Sequence, residues 1–130
     1  MAQIGYVTIG TNDLASAVAF YDALLGELGA TRLIETDQGI SWSFGSGTTS
    51  LAVMKPFDGA PATIGNGVMV ALGVPTRIQV DSTHAKALQL GAMNEGTPAP
   101  RGDSGFYAGY FRDRDGNKLN VFCIERVVGR

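Results

Sequence analysis

The chain has 130 residues, enough for one ordinary domain that buries roughly two thirds of its unfolded surface without disulfides. Ten Lys and Arg against twelve Asp and Glu give a net charge of −2 with no basic run, so nucleic acid is not an expected partner. Charged residues are only 17% and apolar residues 45%, a balance opposite to disorder that points to an apolar cavity lining or a buried interface between copies.

Residues 4–11 (Ile-Gly-Tyr-Val-Thr-Ile-Gly-Thr) are rich in β-branched and aromatic types and read as a strand; no secretory leader is visible in the first twenty residues. Asn12-Asp13 supplies an N-cap for a helix whose apolar stripe is Leu14, Ala17, Val18, Tyr21, Leu24, Leu25 and Leu28, and Gly29 ends it as a left-handed C-cap. Three short strands follow over 31–36, 40–44 and 49–55, separated by Asp37-Gln38-Gly39 and Gly45-Ser46-Gly47. The middle one alternates apolar residues with Ser, so one of its faces is wet or lines a cavity. Residues 56–66, with Pro56, Gly59, Pro61 and Gly65, read as a linker.

The pattern then restarts. Residues 67–74 read as a strand, and Val68 to Val74 is the longest apolar run, far short of the ~20 residues that cross a bilayer. Pro75-Thr76 suits the first turn of a helix; Ile78, Val80, Ala85, Ala87, Leu88 and Leu90 form its apolar side, and Gly91 closes it. Strands are expected over 92–97, 106–112 and 118–125, with a polar loop over 98–105 and a turn at Asp113-Arg114-Asp115-Gly116-Asn117. The single cysteine, Cys123, has no internal partner and reads as a small buried hydrophobe. Both halves therefore run strand, helix, three strands, and both helices end in Gly-Ala (Gly29-Ala30 and Gly91-Ala92). The expected organisation is a single α+β domain of two βαβββ modules, 3–55 and 67–126, packed side by side.

Several chemistry-bearing residues read as structural. His84, the only histidine, lies mid-helix and takes a helix-surface or half-buried place; Ser82, two residues away, points elsewhere and makes no nucleophile–base pair with it. The Gly-rich pieces lack phosphate-loop spacing, and the turn at 113–117 has its glycine in the wrong place for a calcium loop. Glu27, Glu35 and Glu95 are isolated carboxylates.

Tyr6-Val7-Thr8-Ile9 followed by Asn12-Asp13-Leu14 and Ala19-Phe20-Tyr21, together with the closing string from Gly105 to Leu119, resembles the vicinal oxygen chelate superfamily of glyoxalases, bleomycin-resistance proteins and extradiol dioxygenases. The resemblance runs over essentially the whole chain and is weakest between Pro56 and Asn66. It implies paired βαβββ modules whose curved mixed sheet encloses a cleft, a homodimer and, in the superfamily's metal enzymes, a divalent ion held by His, Glu or Gln on strands. Carried over residue by residue, that ligand set is lost: the four positions fall at Tyr6, Ala52, Met69 (or Val68 with a one-residue shift) and Asn120.

Strand side chains alternate, so residues sharing parity with those positions should face the cleft: Tyr6, Thr8, Ser50, Met54, Lys118, Asn120 and Phe122. The Trp42 face of its strand, and either Tyr107 or Tyr110, are further candidates for stacking. The expected ligand-binding set is Tyr6, Trp42, Met54, Met69, Tyr107 and Asn120, with no metal ligands and no cofactor. Two functions are expected from different classes. One is a cytoplasmic, homodimeric protein that binds a small aromatic or planar molecule, as bleomycin-resistance proteins do. The other is a lyase, isomerase or dioxygenase of the glyoxalase type, acting on a small oxygen-chelating substrate with a metal held by other ligands, or without one through Tyr6 or Lys118 as acid or base.

Overall fold

A computed structural model describes residues 1–125; residues 126–130, and with them the last expected position of the second module, lie outside the described residues. The chain divides into two compact units, residues 1–64 and residues 65 onward. Among the described residues no helix is long and apolar enough to cross a membrane.

The first unit holds β1 (Tyr6–Gly10), α1 (Leu14–Glu27), β2 (Thr31–Glu35), β3 (Gly39–Ser43) and β4 (Ser50–Met54), with strand order β1-β4-β3-β2. β1 runs parallel to β4, and the other pairs are antiparallel. Asp13 caps α1 by accepting a hydrogen bond from the Ser16 N–H at 3.1 Å. The helix lays Ala17, Phe20, Tyr21, Leu24 and Leu25 on one side of the sheet, where Ile9, Ile40, Trp42, Leu51 and Val53 are also buried. Register makes this one face: Ile9 lies opposite Val53, Ile40 opposite Val53, and Trp42 opposite Leu51.

The second unit holds β5 (Val70–Gly73), α2 (Arg77–Gln89), β6 (Met93–Pro100), β7 (Phe106–Arg112) and β8 (Lys118–Ile124), in the equivalent order β5-β8-β7-β6. Again the outer pair β5 and β8 is parallel and the rest antiparallel. Each unit is thus a βαβββ module. α2 begins one step later than Pro75-Thr76 suggests, because Thr76 is the N-cap, accepting from the Gln79 N–H, and Pro75 precedes it. β6 continues through Pro98 to Pro100, where a loop is expected; as an edge strand with two register shifts it tolerates prolines that cannot donate to a ladder.

The inward face of α2 is Val80, Thr83, His84 and Ala87, a three-and-four spacing that turns Ile78 (79% exposed) and Ala85 outward. His84 is therefore buried, not at the helix surface. Its Nε2 lies 3.1 Å from the Tyr110 carbonyl and 3.2 Å from Asn94 Oδ1, both acceptors, so Nε2 carries the proton. The ring sits so close to β7 that a Cβ on Gly109 would approach its Cδ2 to 2.9 Å. His84 ties the helix to β6 and β7.

The two helices end alike. The Gly29 and Ala30 N–H groups donate to the Gly26 and Leu25 carbonyls, and those of Gly91 and Ala92 donate to Leu88 and Ala87, with both glycines at positive φ (89° and 105°). A Cβ at Gly29 would meet nothing within 4 Å, so Gly29→Ala isolates the conformational cost of an L-residue in this region, about 1–2 kcal/mol. The expected outcome is a lower urea midpoint with an unchanged slope, measured by circular dichroism.

Candidate functional site

One helix covers one face of each sheet and leaves the other face free of helix. In the first unit that free face carries a pocket of about 330 Å³. Every second residue of β4 (Ser50, Ala52, Met54) points there; β1 sets Tyr6 opposite Ser50, and β3 sets Ser41 opposite Ala52. A register shift in β2 between Arg32 and Ile34 puts Ile34 opposite Ser41, so that Leu33 and Ile34 both reach the rim. Gly39 completes the floor, where a Cβ would come within 2.8 Å of Met54 Cγ and 2.6 Å of the Val53 carbonyl oxygen.

The walls are mostly apolar, with three hydroxyl side chains besides the Tyr6 phenol. Ser41 Oγ accepts from the Ile34 N–H at 3.1 Å, and Thr36 Oγ1 donates to the Gly39 carbonyl. The Tyr6 and Ser50 hydroxyls have no partner among the described residues and line the pocket. A volume of this size with few placed polar groups suits a small ligand. A second hollow of about 530 Å³ lies at the ends of β1 and β4 against residues 55–63, a segment tied back by Asn12, which donates to and accepts from the Ala62 backbone.

The uncovered face of the second unit has a different chemistry. Asn120 lies opposite both Ala71 and Tyr110, is 2% exposed, and its Oδ1 receives no hydrogen bond from the described residues. An orphaned buried acceptor of this kind costs about 1–3 kcal/mol. Around it are Phe122, stacked on Phe106 at 5.4 Å between centroids, and the Tyr110 ring, with the Arg101 guanidinium 5.3 Å and Lys118 Nζ 5.4 Å from its centroid.

Of the expected ligand-binding residues, Tyr6 and Met54 line the first unit's pocket, and Asn120 lies on the uncovered face of the second. Met69 is 41% exposed just before β5; since Ala71 pairs with Asn120 as Thr8 pairs with Ala52, Met69 occupies the place in its unit that Tyr6 has in the first. Trp42 and Tyr107 are elsewhere, on the helix-facing sides. Trp42 is 1% exposed, packs against Tyr21 and donates from Nε1 to Asp22 Oδ1 of α1 at 2.9 Å. Tyr107 donates its hydroxyl to Asp81 of α2 at 2.6 Å and lies under Arg77; the Asp81 bond pushes its phenol pKa up. Of the two tyrosines of β7, Tyr110 is the one on the uncovered face. Leu33, Ile34, Thr36 and Ser41 were not among the expected site residues, although the Ser alternation of β3 signalled a wet or cavity-lining face. Burial pushes the Cys123 thiol up, which leaves it an unreactive core group.

The positions matched to the superfamily's metal ligands carry a phenol, a methyl, a thioether and an amide (Tyr6, Ala52, Met69, Asn120), a donor set that does not fit a hard divalent cation. Among the described residues no three His, Cys, Asp or Glu side chains gather as a metal site.

Trp42 reports on an ionic group behind the pocket. Arg32 grips Asp22 with two nitrogens and reaches Glu35 at 2.8 Å; the Arg32 bonds to Asp22, helped by the Trp42 indole N–H, hold the Asp22 carboxyl below its usual range. A depressed folded-state pKa contributes stability that is complete above the unfolded value near ~3.9 and is lost as pH falls through the folded one. With Asp22 39% exposed the effect is modest. The thermal midpoint of the wild type is expected to fall more steeply below about pH 4 than that of Asp22→Asn, the two running parallel above that range. Parallel curves throughout the acid range would mean that the pair is not coupled to folding.

A model of the Glyoxalase/Bleomycin resistance protein/Dioxygenase superfamily matches residues 3–121. A crystal structure of a glyoxalase/bleomycin resistance protein from Albidiferax ferrireducens T118 is 32% identical, with a TM-score of 0.84, covering 94% of this chain and 98% of that one. Lactoylglutathione lyase from Agrobacterium tumefaciens (20% identity, TM-score 0.70, 95% and 94% covered) shares the fold. So does the fosfomycin resistance protein FosX from Listeria monocytogenes (15% identity, TM-score 0.72, 95% and 93% covered). No match to a curated protein was found.

Proposed function

We propose, from the premise that this chain belongs to the Glyoxalase/Bleomycin resistance protein/Dioxygenase superfamily, that it binds a small planar or aromatic molecule without a resident metal ion. The observation that carries this reading is the apolar pocket between Tyr6, Ile34, Ser41, Ser50 and Met54, with two unpartnered hydroxyls aimed at a guest. Burying a flat ring there removes apolar surface from water at about 25 cal/mol per Å², while Tyr6 and Ser50 orient a polar substituent. The metal-free part of the reading is supported by the donor set at the matched positions, and no step is assigned to a metal.

Two copies are proposed to pair, and the cytoplasm is the proposed location. Support for pairing comes from the 17% charged content and from large apolar side chains left exposed, among them Leu33, Ile34, Val68 and Ile124. Sedimentation velocity is expected to give a dimer; a monomer at all concentrations would remove that part of the proposal.

The binding reading is tested with 2-naphthol, a neutral planar probe carrying one hydroxyl, by ligand-observed NMR and titration. Saturable binding is expected, weakened roughly tenfold by Met54→Gln and blocked by Ser50→Phe, with folding checked by circular dichroism. Absence of saturable binding, or equal binding to both variants, would overturn it. Metal content of protein purified without added metal or chelator is the second arm. Trace metal is expected; a near-stoichiometric divalent ion, with turnover of a hemithioacetal, would favour the lyase reading instead.

A further inference from the structure

The cations of the second unit are not alike. Arg112 pairs with Glu95 at 2.7 Å, and Arg77 pairs with Glu125 at 3.3 Å. Among the described residues Arg101 and Lys118 have no carboxylate partner. Arg101 is nonetheless fixed: Nε and one terminal nitrogen donate to the Ala108 carbonyl, and that same nitrogen donates to the Thr97 carbonyl at 2.7 Å. Its other terminal nitrogen has no partner among the described residues. Lys118 shares its face of β8 with Asn120, about 7 Å along the strand, and both cations lie near the ring of Tyr110, the direct cross-strand neighbour of Asn120. Two uncompensated positive groups and one buried, undonated carbonyl oxygen thus share one patch.

We propose that this face of the second unit binds a small organic acid carrying a hydroxyl or amine beside its carboxylate. Arg101 and Lys118 take the carboxylate, and the neighbouring O–H or N–H donates to Asn120 Oδ1. The charges require an anion, and the orphaned acceptor requires a donor next to it; a bare carboxylate satisfies only the first and a neutral alcohol only the second. The cations already near the faces of Tyr110 leave its hydroxyl and edge, not a stacking surface, for the guest. The site extends the small-molecule reading above but stands on different residues.

Three probes of one size separate the requirements: mandelate (carboxylate and hydroxyl), phenylacetate (carboxylate alone) and 1-phenyl-1,2-ethanediol (hydroxyls alone). Titrations followed by amide chemical shifts should show mandelate binding most tightly, with the largest shifts in β7 and β8. Lys118→Met and Arg101→Met are each expected to weaken mandelate roughly tenfold and bring it to the level of the diol. Asn120→Leu should abolish the preference for mandelate over phenylacetate while leaving phenylacetate unchanged; should Asn120→Leu fail to fold, Asn120→Ala reads the same comparison. Equal affinities for all three probes, no saturable binding, or a preference for mandelate over the diol that survives both cation variants would overturn the proposal. A parallel 2-naphthol titration keeps the two readings apart. Loss of naphthol binding with mandelate retained refutes only the first pocket, and the reverse refutes only this site.

Discussion

A single helix lies across each four-stranded sheet, and one helix covers one face. Because strand side chains alternate, this splits every strand into a structural and a free set of residues. The structural set is narrow in type: Ile9, Leu51, Val53, Ile40 and Trp42 in the first unit, Leu72, Leu119, Val121 and Cys123 in the second, all buried among the helical residues that face them. The free set contributes little to the hydrophobic core and is open to carry chemistry. Even the polar groups on the covered side serve attachment. Asp22 receives the Trp42 indole, Asp81 the Tyr107 hydroxyl, and His84 bonds to β7 and Asn94, so each helix is fixed to its sheet by at least one directed hydrogen bond.

With the covered face committed to folding, the two units diverge on the other. They share strand order, parallel outer pair and the same double-bonded Gly-Ala helix end, so their backbones pose the same problem. The first unit answers with methyl, thioether and hydroxyl groups around a pocket; the second places an amide, two cations and stacked phenylalanines at the corresponding strands. Ala52 and Asn120 show the contrast most directly. Each is opposite the outer parallel strand and nearly inaccessible, yet one is a methyl and the other a buried amide with an unsatisfied oxygen.

Element order, both caps and the repeat were legible in the sequence because they rest on local signals: Asp13 and Thr76 before apolar periodicity, Gly29 and Gly91 after it. The superfamily was legible from whole strings at their spacing. Which face of a strand looks into a pocket was legible only where a parity anchor existed. Tyr6 and Met54 had one, through their distance from the matched metal positions. Trp42 did not, and its size made it an attractive stacking candidate. The register with β4 sets Trp42 opposite Leu51 and Ser41 opposite Ala52, a non-local pairing that no short window contains. Tyr107 and Tyr110 posed the same choice, decided by the pairing of Tyr110 with Asn120. His84 was misplaced for a related reason. The apolar residues of α2 spread around the helix, and the inward face is chosen by what β6 and β7 offer, including the space above Gly109.

The groups at Tyr6, Ala52, Met69 and Asn120, the positions that the resemblance matches to metal ligands, follow the same division. Residues on a free face can change from imidazole or carboxylate to methyl or thioether at little cost to the fold, because their partners were never the helix. Asn120 is the exception among the four, since it carries a strong acceptor in a place where none of the described residues donates to it. A buried oxygen held at a free-energy cost fits the donor of the proposed small acid, and two cations with no carboxylate partner among the described residues fit its charge.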